Sequence, residues 1–151
     1  MTDQAWNPYD RDCPSRGLLD RVSSRWTILI VGALESEPLR FSAIARRVGG
    51  LSEKMLAQTL RQLEEDGLVS RQVTASVPVR VDYALTETGL TLAAPLRALE
   101  DWTTSHMESV IDARDAYASA HQAETRAYLV AELGLNLVKV NWQLLVALQL
   151  V

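Results

Sequence analysis

Six residues in the middle of the chain could do recognition chemistry: Arg40, Ser52, Lys54, Gln58, Arg61 and Arg80. On a helix over residues 52 to 66, Lys54, Gln58, Arg61 and Glu65 fall within about 60° of one another, opposite Leu56, Leu60 and Leu63. Cations and an amide on one exposed stripe suit phosphates and base edges, since arginine takes guanine through two hydrogen bonds and glutamine takes adenine the same way. The Ser52 hydroxyl and the amino end of that helix add phosphate contacts. On one helix alone, an ordinary solvated face with Arg61 and Glu65 as an i, i+4 ion pair explains the same stripe. Its neighbours tip the balance. A short Gly-Gly-Leu turn joins it to a preceding helix, and a hairpin follows directly. The hairpin puts Arg80 on its polar side, where a wing tip approaches the next groove of a duplex. Pairing of Arg71 or Arg80 with Asp82 would weaken that role for one of them.

The lone thiol offers a second chemistry. Cys13 lies just before Pro14, in the N-cap region of a first helix, and helix amino ends favour a thiolate. Arg11 and Arg16 add to that effect, whereas Asp10 and Asp12 act against it. No second cysteine exists in the chain to resolve an oxidised thiol. Sensing would require a bridge to the same thiol of a second subunit, a mixed disulfide with a small thiol, or alkylation. The alternative is a small, half-buried packing residue.

These side chains must be positioned by short elements. Pro14 opens a first helix with Leu18, Leu19 and Val22 on one face. Ser23 or Ser24 caps a second, which buries Trp26, Ile30, Ala33 and Leu34 and ends before Pro38. A third places Phe41, Ile44, Ala45 and Val48 together and stops at Gly49-Gly50. Ser52 caps the fourth, Glu53 favours its dipole, and Gly67 supplies a left-handed end. After Gly67 the period becomes two. Val69, Arg71 and Val73 alternate with Ser70, Gln72 and Thr74, Val79, Val81, Tyr83 and Leu85 alternate with Arg80, Asp82 and Ala84, and Ala75-Ser76-Val77-Pro78 is short enough for a hairpin. Thr86 then caps a further helix in which Pro95 implies a kink or a restart. Three helices, a hairpin and a helix is the order of a winged helix-turn-helix domain, mainly α with a small β-hairpin.

Composition narrows the function. The chain has 151 residues, 48% hydrophobic and 23% charged, as an ordinary globular protein does. A net charge of -4 excludes binding of nucleic acid by bulk charge. The local charge differs from the total: residues 40 to 80 hold seven basic and four acidic side chains, and both ends of the chain are acidic. One cysteine and two distant histidines, His106 and His121, exclude a disulfide framework and a cysteine-based zinc site. No Gly-rich phosphate loop, zinc-ligand spacing or serine nucleophile elbow occurs, so neither an enzyme nor a cofactor is expected. The stretch MTDQAWNPYDRDCP has neither a basic region nor an apolar run, so no secretory signal is expected, and the protein is placed in the cytoplasm. The expected organisation is an N-terminal arm over 1–12, a winged helix-turn-helix and dimerisation domain over 13–121, and an apolar extension over 122–151.

Residues 13 to about 106 resemble the HxlR-type transcriptional regulators, relatives of the MarR group. The matching pieces are CP at 13–14, RWTILI at 25–30, RFSAIARRVGGLSEKMLAQTLRQLEEDGLVSR at 40–71, VPVRVDYALTETG at 77–89 and EDW at 100–102. The resemblance implies a homodimer on an inverted-repeat DNA operator, with Ser52, Lys54, Gln58 and Arg61 in the reading helix and Arg80 in the wing. It implies that the last helices build the dimer, with Leu92, Leu96, Leu99, Trp102 and Met107 as candidates for that face. In several members of the family the cysteine of this CP pair senses oxidants or electrophiles, which makes Cys13 the candidate sensor. The runner-up function is a winged-helix module that binds protein rather than DNA. The extension over 122–151 lies outside the resemblance. It fits a helix or a strand with one slip, Asn136, Asn141, Gln143 and Gln149 argue against a membrane span, and a helix packed in the dimer is the expectation.

Overall fold

A computed structural model describes residues 6–77 and 79–133. The chain divides into two compact units, Met1–Trp102 and Thr103–Val151. Its elements run α1 (Ser15–Val22), α2 (Arg25–Leu34), β1 (Leu39–Arg40), α3 (Phe41–Val48), α4 (Glu53–Glu65), β2 (Val69–Thr74), β3 (Arg80–Leu85) and α5 (Glu87–Leu133). This is the winged helix-turn-helix order, mostly helical with a small antiparallel sheet.

The larger of two core clusters in the first unit is rich in leucine and isoleucine. Ile30 and Leu34 of α2, Ile44 of α3, and Leu56, Leu60 and Leu63 of α4 meet Leu68 and Val69 at the start of the hairpin. The three α4 leucines are the face expected from the helical wheel, and each is essentially inaccessible to solvent. On α2 the buried set is Thr27, Ile30, Val31, Ala33 and Leu34, while Trp26 is half-buried with the Arg25 guanidinium 4.1 Å from its ring centre. That contact gives the indole a cationic partner in place of the core position expected for it.

Local signals set the ends of α4. Its amino end is capped by Ser52, whose Oγ accepts the Met55 N–H at 3.2 Å. Its carboxyl end is a Schellman arrangement: the Leu68 N–H donates to the Leu63 carbonyl at 2.8 Å and the Gly67 N–H to that of Glu64 at 3.0 Å. Gly67 adopts φ 70° there, a conformation that costs a glycine little. Leu63 and Leu68 are both in the core, so the turn that ends the helix also launches β2 from buried ground. Arg21 of α1 clamps the same end, donating from Nε and Nη2 to the two Asp66 carboxylate oxygens at 2.6 and 2.8 Å.

The sheet has three strands in the order β1-β3-β2, all antiparallel. β1 is absent from the sequence expectation because two residues show no period. It pairs Leu39 with Tyr83 and Arg40 with Asp82. The hairpin register pairs Val69 with Leu85 through to Thr74 with Arg80.

Two expectations for the first and last helices change. α1 begins at Ser15, with Pro14 as its N-cap, so Cys13 stands one residue outside the cap. α5 continues through Pro95 without a restart and runs past residue 121 to Leu133. The proline removes one helical N–H donor, and the bonds on either side of it carry the helix on. Expectations for residues 134–151 lie outside the described residues. Among the described residues no helix is long and apolar enough to cross a membrane.

Candidate nucleic-acid interface

The α3–turn–α4 pair presents the polar stripe of α4 outward because its leucines are held in the core. Lys54, Gln58 and Arg61 are all exposed. Arg61 Nε lies 3.4 Å from Glu65 Oε1, so the i, i+4 ion pair is present. Both partners are largely in solvent, where such a pair is worth about 0–1 kcal/mol, little enough for a phosphate or base edge to displace Glu65. Ser52 Oγ accepts its capping bond and keeps its own proton to donate. Met55, 41% exposed beside the stripe, adds an apolar surface of the kind that meets a thymine methyl. Sequence reasoning misses it, because a methionine flanking a leucine face looks like core.

The wing is wired through one carboxylate. Arg80 Nε donates to Asp82 Oδ2 at 2.5 Å, and Arg40 Nε lies 3.9 Å from Asp82 Oδ1. The Asp82 bond holds the Arg80 pKa above its ordinary value. The expectation that Arg71 could share Asp82 is corrected by the register. Arg71 pairs with Tyr83 and so lies on the other face of the sheet, whereas Arg40 pairs with Asp82 itself. The fold thus brings Arg40, from the strand before α3, beside a wing residue that sequence spacing could not connect with it.

At the amino end of α1, Cys13 Sγ lies 3.0 Å from Ser15 Oγ. The Cys13 thiol pKa is lowered, first by this side-chain hydrogen bond and then by backbone hydrogen bonds from Ser15 and Asn7, with partial burial and the Asp10 charge acting against them. The hydrogen bond with the neighbouring Ser15 side chain is the largest cause of the shift.

Of the residues expected at a subunit interface, two belong to the chain's own core. Leu96 is 7% exposed and packs with Val31 and Ala93, and Leu92 lies against both core clusters. Leu96 is turned toward α2, and Leu92, only partly buried, lies beside it. Leu99 and Trp102 in the first unit are exposed, as is Met107 in the second.

The HxlR-like helix-turn-helix family model matches residues 21–111. The HTH-type transcriptional regulator YtfH of Escherichia coli (strain K12) is 42% identical over 113 residues, covering 75% of this chain and 90% of that protein. The solved ytfH regulator of Salmonella typhimurium superposes with a TM-score of 0.69 at 42% identity, covering 72% of this chain and 97% of the other. Diamide-treated YodB of Bacillus subtilis matches with a TM-score of 0.54 at 35% identity, covering 64% and 96%. With its core, hairpin and helix order matched across that span, the chain belongs to the HxlR-like helix-turn-helix family of transcriptional regulators.

Proposed function

We propose that this protein is a cytoplasmic, sequence-specific DNA-binding regulator that works as a homodimer on an inverted-repeat operator. The observation that carries the proposal is the exposed Lys54–Gln58–Arg61 stripe of α4, backed by buried leucines and reached through a tight turn from α3. In this reading α4 enters the major groove, where Gln58 and Arg61 meet base edges and Lys54 a phosphate. Ser52 and the α4 amino end hold the backbone, and Arg40 and Arg80 meet phosphates beside the wing. The exposed Leu99, Trp102 and Met107 supply apolar surface for the second subunit, with half-sites roughly one helical turn of DNA apart.

Cys13 adds an oxidant or electrophile response. The lowered thiol pKa favours the nucleophilic thiolate. The diamide-treated relative YodB supports a redox connection within the group.

A gel-shift titration with the DNA flanking the protein's own gene tests the function. Binding at nanomolar protein, with an unrelated duplex bound at least a hundredfold more weakly, is the expected result. Equal weak affinity for both duplexes would favour a protein-binding module on the same fold. Sedimentation at micromolar protein should show a dimer, and a monomer there would remove the homodimer from the proposal. Diamide or a quinone should change the affinity of the parent and leave Cys13→Ser unchanged; the same response in both proteins would make Cys13 a packing residue.

A further inference from the structure

We propose that Asp82 is a positioning residue for DNA recognition, holding Arg40 and Arg80 so that binding depends on register rather than on loose positive charge. The inference rests on the DNA-binding reading above and deepens it. Three observations meet at this side chain. Asp82 sits on β3, the central strand of the sheet, with its side chain only 14% exposed. Its two oxygens are divided between two arginines from separate parts of the chain: Oδ2 accepts the Arg80 Nε hydrogen bond, and Oδ1 forms a longer ion pair, 3.9 Å from Arg40 Nε. Arg40 is at once the residue opposite Asp82 in β1 and the N-cap of α3, the first helix of the helix-turn-helix pair.

The carboxylate therefore couples the wing to the base of α3. Arg80 is bonded through Nε, which leaves its terminal Nη donors for a second acceptor. An arginine tethered in this way reaches a phosphate only where the backbone of the duplex passes at the right place. Released, it can follow any phosphate, and phosphate contacts carry no sequence information. The Asp82 charge also repels the DNA backbone, a cost that the full set of specific contacts offsets and that a non-specific encounter does not.

The prediction has a sign that a merely structural role would not give. Asp82→Asn removes one negative charge per subunit and frees both arginines. Affinity for a random-sequence duplex should rise about three- to tenfold. Its dependence on salt should steepen by about one unit of log–log slope for each arginine gained by the phosphates. Affinity for the DNA flanking its own gene should change less, so discrimination falls at least threefold. Asp82→Glu, which keeps the charge, should restore most of the discrimination.

The experiment measures fluorescence anisotropy for parent, Asp82→Asn and Asp82→Glu on both duplexes across a salt series, with circular dichroism to confirm folding. An Asp82→Asn protein that folds and shows the parent's salt slope and discrimination overturns the inference alone. So does an equal loss of affinity for both duplexes, which would make Asp82 a fold residue. Should Asp82→Asn fail to fold, an Asp82→Glu protein with the parent's discrimination supports the inference. An Asp82→Glu protein that folds and loses as much discrimination as a charge deletion would overturns it. A parent that discriminates neither duplex overturns the DNA-binding reading and this inference with it.

Discussion

Replacing Gly89 with alanine should destabilise the protein, although helix propensity predicts the reverse. Gly89 lies in the first turn of α5, where its N–H donates to Thr86 Oγ1 at 3.0 Å. Alanine at a helical position normally gains about 1 kcal/mol over glycine. Here the added Cβ would stand 2.0 Å from the Leu68 carbonyl oxygen and 3.0 Å from its carbon. The obstacle is backbone, fixed by the Schellman turn at the end of α4, so it cannot rotate away as a side chain would. That oxygen also accepts the Thr86 N–H at 3.0 Å. Moving α5 back far enough to clear the Cβ would stretch this bond and open the packing of Leu92 and Ala93. Overpacking costs about 1–3 kcal/mol and the weakened hydrogen bond about 0.5–1.5 kcal/mol, so the net after the propensity gain is about 0.5–3.5 kcal/mol. Urea unfolding followed by circular dichroism and tryptophan fluorescence measures it. With a slope of about 2 kcal/mol/M, the midpoint should fall by about 0.3–1.8 M. A midpoint equal to or above the parent's would refute the close approach and the rigidity argued for it.

The other expected outcomes concern the cap, the reading stripe and the thiol. Thr86→Val removes both a donor to the Gly67 carbonyl at 2.6 Å and the acceptor for the Gly89 N–H. It should cost about 1–2 kcal/mol in the same unfolding assay, and a shift within error would show the cap to be dispensable. Arg61→Ala should lower operator affinity by about 1–3 kcal/mol and relax preference at one base pair per half-site, as read by a panel of substituted operators. Lys54→Ala should weaken all sequences alike and flatten the salt slope by about one unit for each phosphate no longer neutralised; parental binding by both variants would place the reading face elsewhere. Because the thiolate is the nucleophile, the lowered Cys13 pKa places the pH midpoint of its alkylation below that of an ordinary thiol, about 8.5. Ser15→Ala deletes the largest cause of that shift and should move the midpoint upward, an effect that superimposable iodoacetamide profiles would disprove.

Local patterning carries most of the architecture. The i, i+3, i+4 leucines of α4, the Ser52 cap, the glycine after α4 and the switch to period two are signals between residues close in sequence, and each is present as an element or an end. The stripe of Lys54, Gln58 and Arg61 is legible for the same reason, because on a helix the buried side dictates the exposed one. β1 is illegible because a two-residue strand is defined by its partner alone. Arg40 can be named from its charge, yet its place beside the wing follows only from that pairing. The pattern misleads at Trp26 and Leu96, where one apolar residue could serve either of two surfaces.

By itself the amino-acid sequence determined the helix order, the hairpin and the family, since these depend on short-range spacing and on motifs kept in order. Tertiary structure alone decided how the charges are shared. It gave Asp82 to Arg40 and Arg80 rather than to Arg71, joined Arg21 to the end of α4, and pressed Gly89 against the Leu68 carbonyl. Such pairings join residues far apart in the chain, and whether two of them meet is set by strand register and core packing. A one-residue change of register would have turned Asp82 to the opposite face while leaving every local pattern intact.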